Sequence, residues 1–401
     1  MSADAVATVR HLDFDLHGVV GVRLIDPSPS DMAVVRRQLG LLEQPLARDP
    51  DVVVRFVDEL PTPGLRFVEF GRTGFTDDGF FVLQSRKRAT RVKIAFDGIG
   101  ECCEIVCQRG ARSVPLLMAI VTLTALKRDC VPLHASAFTY QGTGVLVTGW
   151  AKGGKTEALL AFAARGAEYV GDEWILLTRD GRRMYGIPEF IRLQDWHLRQ
   201  LPTVRRKVRT SRRMLFQAIR GVDRLHGAVP AGPIARSAPM KLLADALPAL
   251  RRQLNVQLDP AEIFTGGPRS FTASPEKVFL MVSHDEPTIR VDGIDPQEIA
   301  RRMIASNCFE QQPLLTSYLA YQFAFPGRRN AFIDGAPARQ AELLASALAG
   351  KAAFTVRHPY PCDLGALFEA MAPACAVTGA TAPRDATASP RALGRPSGVG
   401  A

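Results

Sequence analysis

Residues 149–157 read GWAKGGKTE: a glycine, four residues, then Gly154-Lys155-Thr156. This is the spacing G-x-x-x-x-G-K-[ST]. In it the glycines let successive backbone N–H groups turn toward one anion, the lysine adds a point charge, and the hydroxyl reaches a divalent cation. The surroundings fit. An apolar run, Val145 to Thr148, enters the loop, and KTEALLAFAAR, Lys155 to Arg165, leaves it as a helix apolar nearly all round and therefore buried. Gly166 follows at a C-terminal cap position. Strand, glycine loop and helix in this order predict an α/β fold with a nucleotide-phosphate site, where the helix dipole reinforces the loop. Gly149, Lys152, Gly153, Gly154, Lys155 and Thr156 are its candidate ligand residues. Trp150 and Lys152 are unusual, standing where small residues are more common. Lys152 either offers a second cation or points into solvent. A left-handed backbone there costs about 1–2 kcal/mol for lysine, unless Gly153 takes the bend. Trp150 either shields the phosphates or packs on the sheet.

The run AEYVGDEWILLT predicts a strand, the acidic pair Asp172-Glu173, and a second strand. A carboxylate there can coordinate Mg²⁺ or take a proton from an attacking hydroxyl; a helix cap or surface pair is the plain alternative. Before the loop, HASAFTY from His134, the turn QGTG and VLVTG read as a hairpin, and RDGR at Arg179 to Arg182 as a tight Asp-Gly turn.

The run GWAKGGKTEALLAFAARGAEYVGDE resembles the core of HPr kinase/phosphorylase, a serine kinase whose ATP site is like that of phosphoenolpyruvate carboxykinases. Lys155, Thr156, Glu157, Arg165, Gly166 and Asp172 fall in register with that family's motif, and LHASAF with His134 resembles its histidine-bearing strand. The match covers about one tenth of the chain, His134 to Glu173. It implies a carboxykinase-like core with a mixed sheet, and ATP and Mg²⁺ as cofactors. Lys155 would bind the β- and γ-phosphates, Thr156 would ligate Mg²⁺, and Asp172 would be the general base. Glu173, where the family usually has a second aspartate, would assist at the metal, and His134 would lie near the phosphates. Glu189 is either a further carboxylate near the metal or a turn residue after Pro188. The family's middle glycine is Lys152 here, and its later glycine-rich signature, tied to phosphorolysis, is missing. Family members assemble as hexamers, so a homo-oligomer is an implied state.

Outward from this core, residues 1–110 read as β-rich: VVVRFVDEL, LRFVEFG, GFFVLQS and RVKIAFDGIG are β-prone runs between turn signals. The kinase-like region runs from 111 to 377. It opens on the apolar run after Ser113, one helix ending near Lys127 to Asp129, too short for a confident membrane span. KVFLMVS and AAFTVRH read as strands, and helices are expected at Pro296 to Ser306, Gln311 to Gln322 and Pro337 to Leu348. Residues 199–239 read as a basic, turn-rich, flexible insertion. Nine Lys or Arg face one acid, Asp223, between Arg199 and Arg224, which either draws an acidic partner or is a solvated face. No nucleic-acid motif accompanies it, so nucleic acid is not an expected partner. The polar, proline-rich tail 378–401 reads as disordered. The seven cysteines show no framework spacing, and the cluster Cys102, Cys103 and Cys107 has no histidine nearby, so they read as free thiols, which with no signal peptide indicate a cytoplasmic protein.

The expected function is therefore an ATP-dependent kinase acting on a hydroxyl, of serine or threonine in a peptide or protein or of a small metabolite. The alternative is a nucleotide-dependent binding or regulatory module with little chemistry, motivated by Lys152 and Glu173. An ordinary P-loop ATPase ranks third, since its catalytic strand would lie farther from the loop.

Overall fold

The computed structural model describes residues 10–40, 42–85, 89–228, 238–251, 253–264 and 271–376. The tail from 378 and the stretch 229–237 of the basic segment lie outside the described residues.

The N-terminal strands form one sheet. They are β1 (His11–Leu16), β2 (Val20–Ile25), β3 (Val52–Val57), β4 (Arg66–Glu69), β5 (Thr73–Thr76), β6 (Gly79–Ser85), β7 (Ala89–Ile94) and β8 (Cys103–Gln108), in the order β1-β2-β3-β8-β7-β6-β5-β4. In β3, Val52, Val54 and Phe56 are buried and their neighbours are not, the period of two that sets one face on a core. Between β2 and β3 lies α1 (Pro29–Leu39), which the sequence reading did not anticipate. Ser28 and Asp31 form its capping box. The run after Ser113 becomes α2 (Leu117–Thr124) and a 3₁₀ turn to Arg128, one helical segment as expected.

The rest of the chain follows as β9 (Cys130–His134), β10 (Ser136–Tyr140), β11 (Thr143–Gly149), α3 (Lys155–Ala163), β12 (Glu168–Gly171), β13 (Trp174–Thr178), β14 (Met184–Gly186) and β15 (Ile191–Gln194). Then come α4 (Asp195–Gln200), α5 (Pro202–Lys207), α6 (Thr210–Ala228), α7 (Ala238–Arg251), β16 (Asn255–Leu258), α8 (Pro260–Ile263) and β17 (Thr272–Ala273). Last are β18 (Lys277–His284), β19 (Arg290–Gly293), α9 (Pro296–Glu310), α10 (Gln312–Ala324), α11 (Ala331–Leu348), β20 (Ala352–Pro359) and α12 (Leu364–Cys375).

The organising unit is a six-stranded mixed sheet, β12-β10-β11-β18-β20-β19, whose central strands β11, β18 and β20 are parallel. A parallel core must be covered on both faces, and the strand sequences comply. In β18, Val278 and Leu280 join the core shared with α9 and α11, while Phe279 and Met281 join the core that contains α3 and α12. The N-terminal sheet packs into the first of these cores. The β10–β11 hairpin closes through Gln141 (φ 49°) and Gly142 (φ 81°), the twist-compatible turn with two left-handed residues.

Three expectations are corrected. HASAFTY is not one strand: His134 ends β9 in a four-stranded sheet, β17-β14-β13-β9, and Ser136 opens β10 in the six-stranded one. The described part of the basic segment, as far as Ala228, is helical rather than turn-rich, since Val204, Phe216 and Ile219 give α5 and α6 a buried side. The helix placed at Pro337 begins six residues earlier, where Asn330 caps the N–H groups of Phe332 and Ile333, and Pro337 sits within its second turn.

Candidate active site

The loop between β11 and α3 sits at the carboxyl end of the parallel strands, where α/β sheets open a crevice. Packing explains two of its glycines. A Cβ on Gly149 (φ 151°) would lie 2.9 Å from Met281 O, and one on Gly154 (φ 106°) only 2.3 Å from His358 Nε2. His358, wholly buried at the end of β20, braces the loop from beneath: Nε2 lies 2.9 Å from Gly153 O and Nδ1 2.8 Å from Pro359 O. Gly153 does not take the left-handed bend. Lys152 does, with φ 60°, so the strain rests on the lysine while its exposed side chain borders the cavity. Trp150 is 50% exposed and meets the ring of Phe309, from α9, at 4.9 Å. Lys155 is buried, and its Nζ donates to the carbonyls of Trp150 (2.9 Å) and Gly149 (3.3 Å). Burial lowers its pKa, while Glu173, Asp172 and Glu310 pull it back up.

The carboxylates come from a double crossing between sheets. At Ala135 the chain passes from β9 to β10. At Asp172-Glu173, beside it, the chain passes from β12, paired with β10, to β13, paired with β9. Ala135 N donates to Glu173 O (3.2 Å), and Glu173 takes φ 70° to make the turn. The two crossings deliver four side chains to one spot. Ser136 Oγ donates to Asp172 Oδ1, Thr156 Oγ1 lies 3.2 Å from Asp172 Oδ2, and His134 Nε2 lies 2.9 Å from Glu173 Oε2. The geometry thus pairs Thr156 with Asp172, and Glu173 with His134.

Asp172 is 3% exposed. Burial, and then the charge of Glu173, pushes its pKa up to about 7 against the opposing pull of Ser136, Lys155 and Thr156. Glu173 moves down instead, held there by its hydrogen bond with His134. Burial works against a charge on His134, but the carboxylates of Glu173 and Glu310 outweigh it and raise its pKa. Its Nδ1 lies 2.8 Å from Glu310 Oε1, a close charge contact off the hydrogen-bonding direction. Glu189 does not line the cavity over the loop but lies near enough to feel both acids. Burial and the charges of Glu173 and Asp172 drive its pKa well up, and its Oε1 is buried with no hydrogen-bond partner.

A cavity of about 310 Å³ is lined by His134, Lys155, Thr156, Asp172 and Glu173. It also takes in residues that the sequence reading missed: Arg192, Gln194, His197, Glu310 and Tyr360. His197 Nδ1 accepts from Gln194 N (3.0 Å), so its Nε2 carries the proton and donates to Glu157 Oε1 at 3.1 Å. Glu157 is therefore a buried brace between α3 and α4. Among the described residues no group of three or more His, Cys, Asp or Glu side chains forms a ready metal cage. Mg²⁺ asks for less, usually one or two carboxylates completed by water and phosphate oxygens. The orphaned Glu189 Oε1 beside Asp172 and Glu173 is the kind of unsatisfied oxygen that a cation would relieve. No family model matches the chain, and no curated protein matches it. Among the described residues no helix is long and apolar enough to cross a membrane.

Proposed function

We propose that the protein is a nucleotide-dependent phosphotransferase that moves the γ-phosphate of ATP to a hydroxyl, built on a carboxykinase-like core. The observation that carries this reading is the contact between Thr156, the hydroxyl after the loop lysine, and Asp172, a buried carboxyl raised to about 7. A general base works best with a pKa near the operating pH, and burial beside a second carboxylate is how proteins tune one there.

The backbone N–H groups that open α3 and the ammonium of Lys155 would bind the phosphates; to reach them Lys155 gives up its carbonyl contacts within the loop. Thr156 and Glu173, with Glu189 behind, would hold Mg²⁺, whose charge would neutralise the phosphate oxygens. Asp172 takes the proton from the acceptor hydroxyl as that oxygen bonds to the γ-phosphorus and the bond to the ADP oxygen breaks. His134, its charge favoured by Glu173 and Glu310, places a cation beside the transferring group. The acceptor is a peptide, protein or small metabolite that presents a hydroxyl.

The experiment is transfer of labelled γ-phosphate to serine- and threonine-bearing peptides, proteins and small alcohols, with ATP binding measured in parallel. Transfer that needs Asp172 supports the reading. Normal binding of Mg²⁺-ATP with no transfer to any hydroxyl replaces it with a nucleotide-dependent binding module.

A further inference from the structure

The cavity over the loop has a mixed lining of charged groups and one tyrosine ring. Its lining includes Asp172, Glu173, His134 and Glu310, and among the described residues Tyr360 is the one Phe, Tyr or Trp side chain in it. In phosphoryl transfer the terminal phosphate must meet the carboxylates, which leaves Tyr360 as the aromatic surface this cavity offers to a nucleoside. Tyr360 is 49% exposed although it is a large aromatic residue beside a buried core, and it is built into place from two sides. It follows β20, which His358 ties to Gly153 O of the loop. Its ring meets Trp196 of α4 edge to face, with centroids 5.8 Å apart at 87°. Trp196 in turn packs on His197, the residue that braces Glu157 of α3. The tyrosine is thus held in register with both the loop and the first turn of its helix.

A second cavity, of about 410 Å³, competes for the nucleoside. It lies behind the first half of the loop against Met281, Met303, Ala305 and Trp150. Its lining contains none of His134, Lys155, Thr156, Asp172 or Glu173, the groups that would meet the phosphates.

Resting on the nucleotide reading above, we infer that Tyr360, backed by Trp196, is the stacking platform for the base, and that the site selects purine nucleoside triphosphates through it. Stacking on an aromatic face is strongest for the larger purine ring and needs no hydrogen-bond code. Tyr360 is a specificity-determining residue in this assignment and takes no part in the chemistry.

Inorganic tripolyphosphate tests this, because it carries the phosphates without the base. Titrations of Mg²⁺-ATP and Mg²⁺-tripolyphosphate into the full chain should show ATP binding the tighter of the two. Tyr360→Ala should weaken ATP by roughly 5- to 150-fold, the range found for loss of one base–aromatic stack. The same variant should leave tripolyphosphate binding unchanged, which also reports that it folds. Tyr360→Phe should keep ATP affinity, and Ala305→Trp, which fills the competing cavity, should leave it untouched. The assignment is overturned if Tyr360→Ala leaves ATP affinity intact, or if Ala305→Trp is the variant that abolishes it. If neither ligand binds the wild-type chain, the nucleotide reading itself has failed, a result distinct from either of these.

Discussion

Asp172→Asn should make the protein inactive and, at pH 8, more stable. The carboxyl is 3% exposed and faces the charge of Glu173, and its pKa rises from 3.8 to about 7. The folded chain therefore holds a proton that the unfolded chain has released above pH 4. Stability must fall as pH climbs from 4 to 7, and the loss levels off above 7 at roughly 4 kcal/mol. Asparagine is neutral at every pH, and its amide oxygen can still accept from Ser136 and Thr156. The variant should match wild type near pH 4 and gain up to that amount at pH 8. Unfolding entropy is about 2 cal/mol/K per residue, so over this chain the gain is a Tm rise of about 5 °C. The assay is thermal denaturation of both proteins at pH 4.5, 6, 7 and 8, with phosphotransfer measured on the same samples. Transfer should fall by orders of magnitude, each tenfold being about 1.4 kcal/mol of barrier. A Tm difference that does not change with pH, or a variant less stable at pH 8, would refute the claim that burying this charge is what costs the fold.

Lys155→Ala should abolish nucleotide binding in a titration while the far-ultraviolet spectrum stays native, because the lysine reaches only loop carbonyls and no core partner. Gly154→Ala should lose nucleotide affinity at least about tenfold, since the added methyl meets the His358 ring and a left-handed backbone together; unchanged affinity would show that the loop gives way. Lys152→Val should cost about 1–2 kcal/mol more than Lys152→Gly in urea unfolding, because a β-branched side chain resists φ 60° where glycine does not. Glu173→Asp should keep or raise stability, yet the shorter arm cannot hold His134 Nε2 at 2.9 Å; the His134 pKa, followed by NMR, should drop toward the ordinary histidine value.

Local pattern made part of this molecule legible. Entry strand, loop, α3, β12 and the acidic pair could be read because each is specified by residues within a few positions of itself. Elements whose burial is set from afar were not. The amphipathic sides of α5 and α6 become visible only once Val204 and Phe216 find the core that also holds α3 and α12, and in sequence their arginines dominate. The sequence reading started α11 at Pro337, although Asn330, a strong capping residue, stands upstream with its oxygen on two N–H groups. In the site, Glu310 and Tyr360 lie about 140 and 190 residues beyond Asp172 in sequence, brought back by the strand order β11-β18-β20 and by α9. His197 carried one usable signal, a histidine in the first turn after a short strand, but nothing in the sequence pointed it at Glu157.

Two non-glycine residues at the site hold left-handed backbone, Lys152 and Glu173, and the fold accepts both for different reasons. At Glu173 the turn is imposed from outside, because the chain must leave the sheet of β12 for that of β13 within two residues, beside the matching crossing at Ala135. Aspartate would sit more easily in that conformation, but only the longer arm meets His134 across the gap, and that contact keeps Glu173 charged while its neighbour Asp172 is driven toward neutrality. The two carboxyls are pushed apart in acidity by geometry that begins in the backbone, which is how adjacent acids come to take different roles. Lys152 has no such partner among the described residues: its side chain is exposed and reaches no acid. On the proposed function, a strained residue with a free cation at the mouth of this loop would be completed by an anionic ligand. Placed on the loop, the terminal phosphate is where the unpaired charge of Lys152 and the buried charge of Lys155 would converge.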